Sequence, residues 1–216
     1  MSFKFQGPGL PSRWSDVQGL KYRCYSLYTG STDGSPDPAS LVSGSLKSTN
    51  GSSTQINSFS IDANNTFVWR GYFEPDSTGD DWQFRVTSDD GSYLWLEDPA
   101  EASVTSLNPD LAIVKNSGSH GLQSVTSANL TLTSSLYYSM TLVAGNNTGT
   151  GSVTLEWSDN GGASFESSGS TYLSHDSRYP DGFGADFYEY VATGQRATRW
   201  SVIGAGNNGG RFWYLD

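Results

Sequence analysis

Short runs in which apolar and polar residues alternate recur along most of this sequence, and they constrain the fold more than any other feature. Residues 82–87 read Trp-Gln-Phe-Arg-Val-Thr, a period of two that places one face of a β-strand in a core. No window of 11 residues has the 3.6-residue period of an amphipathic helix. Short strands separated by Gly, Asp and Ser turns predict an all-β fold, an antiparallel sandwich or barrel. The predicted strands are 67–73, 82–86, 93–96, 112–115, 129–132, 137–143 and 153–157.

Charge and metal-ligating residues exclude several classes of function. The chain has 22 Asp and Glu against 12 Lys and Arg, a net charge of -10, which repels phosphate backbones and anionic lipid surfaces. We therefore expect no nucleic-acid partner. The single cysteine, Cys24, excludes an internal disulfide and is expected to be a buried, inert thiol. With only two histidines, any bound metal should be a hard cation held by oxygen.

Composition sets two stretches of the chain apart from the rest. Residues 30–60 are rich in Ser, Gly, Thr, Pro and Asp and are predicted to be a long surface loop. Residues 178–216 are rich in aromatics and arginine, which predicts either further strands on the same core or a surface that docks to a partner or to another copy.

The N-terminus lacks the apolar run of a secretion signal, and no segment approaches the roughly 20 apolar residues of a membrane span. We therefore expect no membrane insertion.

Several sequence segments, in their order and spacing, resemble the PA-14 domain family over residues 19–177. The resemblance implies a jelly-roll-like antiparallel β-sandwich with long loops, preceded by an N-terminal segment at 1–18 and followed by a C-terminal, strand-rich extension at 178–216. The segments that carry the resemblance are Trp69-Arg70-Gly71-Tyr72, Asp80-Asp81-Trp82-Gln83-Phe84-Arg85, Asp89-Asp90-Gly91, Tyr137-Tyr138-Ser139-Met140-Thr141-Leu142, Leu155-Glu156-Trp157-Ser158 and Tyr172-Leu173-Ser174.

Asp89 and Asp90 are the residues to which the resemblance assigns calcium binding, through an Asp-Asp pair joined by a cis peptide bond. From the residues alone, an acidic pair before Gly91 is more typical of a solvated turn. The resemblance further implies that a second loop supplies the Asn146 side chain and the carbonyls of Thr148 and Thr150. An Asn at position 146 would also suit a hairpin turn with positive φ.

The resemblance thus predicts a calcium-dependent, lectin-like carbohydrate-binding module, with Ca2+ as the cofactor and glycans as partners. The sugar would be held by Asp89, Asp90, Asn146 and Asn147 at an extracellular, cell-surface or virion-surface location. The alternative is a structural component of a virion or surface appendage that uses the sandwich for assembly or attachment, with copies meeting through residues 178–216. We expect no enzyme activity, because adjacent carboxylates that share a metal do not flank a glycosidic bond.

Other candidate residues have simpler interpretations. Asp80 and Asp81 could add negative charge beside the calcium site, but a solvated turn is the preferred interpretation. His120 is predicted to be an exposed loop residue. The tryptophans in the predicted strands are expected to lie in the core rather than to serve as platforms for sugars. They are Trp69, Trp82, Trp95 and Trp157.

Overall fold

The computed structural model of the chain describes residues 16–26, 28, 45–96, 108–134, 136–167 and 172–176. Within these ranges the regular structure consists of strands, apart from one turn of 3-10 helix at Pro109–Leu111. The strands are β1 Asp16–Gln18, β2 Leu20–Ser26, β3 Ser45–Ser53, β4 Phe59–Asp62, β5 Asn65–Phe73, β6 Gly79–Ser88, β7 Ser92–Leu96, β8 Val114–Asn116, β9 Gln123–Thr126, β10 Leu130–Leu132, β11 Tyr138–Asn146, β12 Thr150–Ser158 and β13 Leu173–Asp176.

The strands form two antiparallel sheets that pack as a sandwich, which confirms the predicted fold class. In the larger sheet the order is β1-β13-β5-β11-β7-β8, and β2 joins β5 to β3. In the smaller sheet the order is β10-β6-β12-β4, with β9 also paired to β6. Several connections therefore cross from one sheet to the other, such as those from β5 to β6 and from β6 to β7.

The core between the sheets is built from the apolar positions of the alternating runs. In β6, Trp82, Phe84 and Val86 are fully buried, whereas Gln83, Arg85 and Thr87 are partly exposed. The ring of Phe73 crosses from the larger sheet to contact the rings of Trp82, Phe84 and Trp157, with centroids 4.9 to 5.5 Å apart. The four tryptophans assigned to the core are each at most 1% exposed, so that prediction is confirmed.

The outer face of the larger sheet carries a second buried apolar cluster. Val68 lies between Phe67 and Trp69, which contact the inter-sheet core, so its side chain points to the opposite face. This outer cluster consists of Tyr28, Val68, Tyr93, Trp95 and Val143. The larger sheet is therefore buried on both faces near its centre. Cys24 is also buried, as predicted.

The prediction of a loop over 30–60 is wrong for part of that stretch. Ser45–Ser53 forms β3, which pairs with β2 through a ladder that runs from Ser26↔Ser45 to Leu20↔Ser53. Its sequence lacks apolar alternation, which is the signal from which the other strands were predicted. Residues 30–44 and 178–216, including the extension predicted to add strands or dock to partners, lie outside the described residues. In the described part of the chain, no helix is long and apolar enough to cross a membrane.

Candidate functional site

Four connections between the two sheets lie at the same end of the sandwich. They are the turn at 63–64 between β4 and β5, the turn at 89–91 between β6 and β7, the loop at 117–122 between β8 and β9, and the loop at 147–149 between β11 and β12. The strand register brings them together, because Asn146 pairs with Asn65, Thr150 with Asp62, and Ser88 with Gln123. We call these four connections the crossing loops.

The Asp90 carboxylate lies where three of the crossing loops meet. Its Oδ1 accepts a hydrogen bond from the backbone N–H of His120 at 2.9 Å, and its Oδ2 accepts one from that of Asn147 at 2.6 Å. The backbone N–H of Asp90 donates to the carbonyl of His120 at 3.0 Å. Asp90 is only 6% exposed. Its carboxylate therefore connects the 89–91 turn to both the 117–122 and the 147–149 loops.

Asp89 is half-buried, and its backbone N–H donates to the carbonyl of Ser152 at 2.9 Å. The cis peptide implied between Asp89 and Asp90 is wrong, since the described residues contain only trans peptide bonds. Instead Asp90 adopts a φ of 61°, and Asp tolerates this left-handed conformation better than most residues. The change of direction at this turn thus comes from the backbone of Asp90.

A buried network of polar side chains stabilises the 89–91 turn. The Ser88 hydroxyl donates to the carbonyl of Asp90 at 2.7 Å and lies 2.8 Å from the Ser92 hydroxyl. The Asn116 amide donates to Ser88 Oγ at 2.9 Å and to the carbonyl of Gln123 at 3.0 Å. These bonds join the strands on both sides of the turn, so the position of Asp90 is set by several elements at once.

Asn146 is fully buried at the end of β11. Its Nδ2 donates to the carbonyl of Ile61 at 2.8 Å and to that of Gly149 at 3.2 Å. Two carbonyl acceptors determine which way the amide faces, and they leave Oδ1 buried without a hydrogen-bond partner. The alternative assignment of Asn146 to a positive-φ hairpin turn is wrong, because Asn146 is in a strand and the positive φ of 74° belongs to Gly149.

The remaining predicted residues lie on the 147–149 loop and at the start of β12. Asn147, Thr148 and Thr150 have exposed side chains. The carbonyl of Asn147 accepts a hydrogen bond from the backbone N–H of Asn64 at 3.2 Å, which ties this loop to the 63–64 turn. The structure therefore places Asp89, Asp90, Asn147 and Thr148 in the crossing loops, and Asn146 and Thr150 at the strand ends on either side of the 147–149 loop.

Asp80 and Asp81 do not lie beside this cluster. They are at the start of β6, whereas Asp89 follows its end, about 27 Å away at the usual rise of a strand. Among the described residues, no group of three or more His, Cys, Asp or Glu side chains is arranged to hold a metal. The acidic side chains here are a pair, so a cation at the crossing loops would also need amide and backbone oxygens.

Comparison with known proteins assigns the fold. Residues 65–159, from β5 to just beyond β12, match the family model of the GLEYA domain. The PA14 domain of the MpAFP antifreeze protein is 17% identical, with 78% of this chain and 95% of that chain covered and a TM-score of 0.56. The chain has the PA14 fold. The resemblance inferred from the sequence segments is thereby confirmed.

Two further solved structures with a similar fold are described as a sugar complex and as a sugar-binding domain. The A domain of Epithelial Adhesin 9 from Candida glabrata, in complex with Galb1-3GlcNAc, is 16% identical and covers 78% of this chain and 93% of its own, with a TM-score of 0.58. The PA14 sugar-binding domain from an RTX adhesin is 21% identical and covers 74% and 99%, with a TM-score of 0.52. A search of curated proteins finds no match to this sequence.

Three residues of this PA14 sandwich hold the crossing loops together and were not predicted to do so. His120 is half-buried rather than exposed, and its backbone N–H holds Asp90. Asn64 has a φ of 57°, and its Oδ1 accepts a hydrogen bond from the backbone N–H of Tyr28 at 3.1 Å. Because all three act through hydrogen bonds with residues far away in the sequence, the local sequence around them carries no signal for this role.

Tyr28 also contributes a buried hydroxyl close to both aspartates. Burial raises the pKa of this hydroxyl, and the negative charges of Asp90 and Asp89 raise it further, while hydrogen bonds with Gly91 and Ser119 act in the opposite direction. Tyr28 is therefore a neutral hydrogen-bonding group at physiological pH.

Proposed function

We propose that this protein is a calcium-dependent carbohydrate-binding module whose site is formed by the crossing loops. The observation that carries the proposal is the position of Asn146, whose buried amide oxygen has no hydrogen-bond partner. Asn146 directly precedes Asn147, whose backbone N–H is bonded to the Asp90 carboxylate. Carboxylate, amide and carbonyl oxygens are the ligands that calcium takes in proteins.

The donor set at the crossing loops fits a calcium ion. Burying a polar atom without a hydrogen-bond partner costs about 1 to 3 kcal/mol of folding free energy. A cation bound to Asn146 Oδ1 would offset this cost. Asn146 Nδ2 is held by the carbonyls of Ile61 and Gly149, which orient the amide so that its oxygen, and not its nitrogen, is left for a ligand. A buried oxygen acceptor without a partner suits a hard, oxygen-seeking ion.

Asp90 is held in place for such a role before any ion binds. Each carboxylate oxygen accepts one backbone N–H and keeps a further lone pair for an ion. Asp89 is half-buried, and we assign its carboxylate as the more accessible of the two ligands. Together with the carbonyls of Thr148 and Thr150 these groups would supply five oxygens, fewer than the roughly 6 to 8 that calcium takes.

The open coordination positions are where a sugar would bind. A bound calcium ion would supply a positive charge that attracts vicinal sugar hydroxyls. The exposed side chain of Asn147 would add a hydrogen bond from the edge of the site. Two solved structures with a similar fold, a PA14 sugar-binding domain from an RTX adhesin and an adhesin A domain in complex with Galb1-3GlcNAc, support this choice of ligand.

The proposed location and mode of action follow from this chemistry. Glycans are displayed outside cells, so a module of this kind would act at an extracellular, cell-surface or virion-surface location. A shallow site with few contacts binds weakly, and repetition on a surface strengthens attachment through avidity. The proposal is for a binding module rather than an enzyme.

Calcium titration and a glycan array test the proposal together. Calcium binding would be measured by isothermal titration calorimetry, and the array would be probed in millimolar calcium and again with chelator. Asp89→Asn removes one negative charge without disturbing the hydrogen bonds of Asp90. We expect the calcium affinity to fall by about tenfold or more, because in metal sites even the loss of a residue that only supports a ligand lowers metal affinity by about 10- to 100-fold.

Asp80→Asn is the matched control. It removes the same charge from an exposed residue at the opposite end of β6 and should leave calcium and glycan binding unchanged. Glycan binding that persists in chelator would refute calcium dependence. Absence of both calcium and glycan binding in the wild-type protein would refute the proposed function. In that case a buried water molecule would donate the hydrogen bond to Asn146 Oδ1.

A further inference from the structure

We propose that Tyr28 is a positioning residue for the crossing loops, one that fixes the 89–91 turn relative to the end of β11 and the 147–149 loop that follows it. The inference rests on the proposed function for its meaning, because the turn and the loop are the proposed calcium-binding elements. Tyr28 itself would not touch the ion.

The hydroxyl of Tyr28 forms two hydrogen bonds with different crossing loops. It accepts the backbone N–H of Gly91 at 3.0 Å and donates to the carbonyl of Gly118 at 2.8 Å. Gly91 follows Asp90 directly, and Gly118 lies in the loop whose His120 N–H holds the Asp90 carboxylate. The hydroxyl therefore fixes the distance between the turn that carries the aspartates and the loop that orients Asp90.

The backbone and the ring of Tyr28 reach the other two crossing loops. Its backbone N–H donates to Asn64 Oδ1 at 3.1 Å, and the N–H of Asn64 donates to the carbonyl of Asn147 at 3.2 Å. The ring packs so closely on Gly145 that a Cβ at that position would collide with it. Since Gly145 directly precedes Asn146, the ring packs against the end of β11, from which the 147–149 loop begins.

The turn and the loop also meet through their own backbones beneath the ring. The N–H of Gly145 donates to the carbonyl of Gly91 at 3.0 Å, so Gly91 is bonded through its N–H to Tyr28 and through its carbonyl to the strand that ends at Asn146. Tyr28 is 5% exposed and is a member of the outer cluster with Val68, Tyr93, Trp95 and Val143. This packing holds the ring rigidly enough for its hydroxyl to position the turn.

Tyr28→Phe tests the inference, because it keeps the ring and removes only the hydroxyl. The first readout is amide hydrogen exchange in metal-free protein. We expect faster exchange at the Gly91 N–H, because it loses its acceptor, the Tyr28 hydroxyl. We also expect faster exchange at the Asn147 N–H. This group is not bonded to Tyr28, but its acceptor is the Asp90 carboxylate, whose position the Tyr28 hydroxyl would fix. The second readout is calcium affinity, expected to fall about two- to tenfold, the usual net effect of one neutral hydrogen bond.

Tyr138→Phe is the matched control. Tyr138 is 4% exposed, and its hydroxyl accepts the backbone N–H of Thr133 at 2.9 Å. It begins β11, whereas Asn146 ends that strand, so it lies about 27 Å from the crossing loops at the usual rise per residue. The control should lose a comparable amount of stability and keep the wild-type exchange at Asn147 and the wild-type calcium affinity.

Asn64→Gly provides a second variant that leaves the tyrosine intact. It removes the acceptor of the Tyr28 N–H, and glycine accepts the φ of 57° at this position. We expect the same loss of protection at Asn147 and weaker calcium binding. This variant decides the matter if Tyr28→Phe does not fold.

The outcomes separate this inference from the proposed function. Wild-type exchange at Asn147 and wild-type calcium affinity in Tyr28→Phe would overturn the inference, and so would equal effects in Tyr28→Phe and Tyr138→Phe. If the wild-type protein binds no calcium, the proposed function fails, and the metal-free exchange at Asn147 alone then supports or overturns the positioning role.

Discussion

Replacing Asp90 with Asn should destabilise the metal-free protein, because the Asp90 carboxylate holds two crossing loops even without an ion. The carboxylate accepts backbone N–H groups from His120 and Asn147 at 2.9 and 2.6 Å and is 6% exposed. Hydrogen bonds to charged groups contribute about 1.5 to 3 kcal/mol each. The carbonyl of an Asn side chain can accept only one of the two N–H groups, while its NH2 faces the other.

The expected magnitude follows from these two bonds. One charged hydrogen bond is lost with its N–H left unpaired, and the other becomes a neutral bond of about 1 kcal/mol. We therefore expect the free energy of unfolding to fall by about 2 to 4 kcal/mol. Urea denaturation in the presence of chelator measures this difference without any contribution from calcium binding.

Asp89→Asn serves as the internal reference for this experiment. It removes the same repulsion between adjacent negative charges, whereas the carboxylate of Asp90 keeps both of its backbone hydrogen bonds. The difference between the two variants therefore isolates those hydrogen bonds. Equal unfolding free energies for Asp89→Asn and Asp90→Asn would refute the reasoning that Asp90 organises the crossing loops.

Three further predictions concern the core, the Asn146 loop and alkaline pH. Phe73→Ala should cost about 3 to 5 kcal/mol of unfolding free energy, because the ring is fully buried against Trp82, Phe84 and Trp157; a loss below about 1 kcal/mol in urea denaturation would contradict that packing. Gly151→Ala should weaken calcium binding in calorimetry, since the added Cβ would lie 2.9 Å from Asn146 Cγ, and unchanged affinity would argue against Asn146 as a ligand. The pKa of Tyr172 is raised above its usual value of 10.0 by burial first and then by its hydrogen bond to Asp76, so its contribution to stability is complete below pH 10 and is lost as the pH rises further. Tyr172→Phe should therefore flatten the fall in unfolding free energy above pH 10, and an unchanged alkaline limb would contradict this assignment.

The strands that build the inter-sheet core could be predicted because their side chains alternate. In β6 the predicted inward residues, Trp82, Phe84 and Val86, are the buried ones. Burial of one face of a sheet imposes a period of two on the sequence itself, so the pattern is present before any partner strand is known. The same argument fails for β3, which forms through backbone pairing with β2 and has no such pattern.

The candidate site divides in the same way. The sequence segments led to the prediction of Asp89, Asp90 and Asn146 as site residues, because their order and spacing resemble those of PA-14 domains, and the structure brings these three residues to the same end of the sandwich. The contacts that unite them could not be predicted, since the bond from Asn147 to Asp90 joins residues 57 positions apart. The trans peptide and the positive φ of Asp90 are likewise properties of the folded turn.

Tyr28 shows most clearly what only the tertiary structure decided. Its sequence neighbours give no indication of a role, yet its hydroxyl reaches Gly91 and Gly118, 63 and 90 residues away. Side-chain alternation is a local property, and it predicted the strands, such as β6, that bury one face in the inter-sheet core. The meeting of the crossing loops depends on strand order and register across two sheets, which are set by pairing between distant segments of the chain.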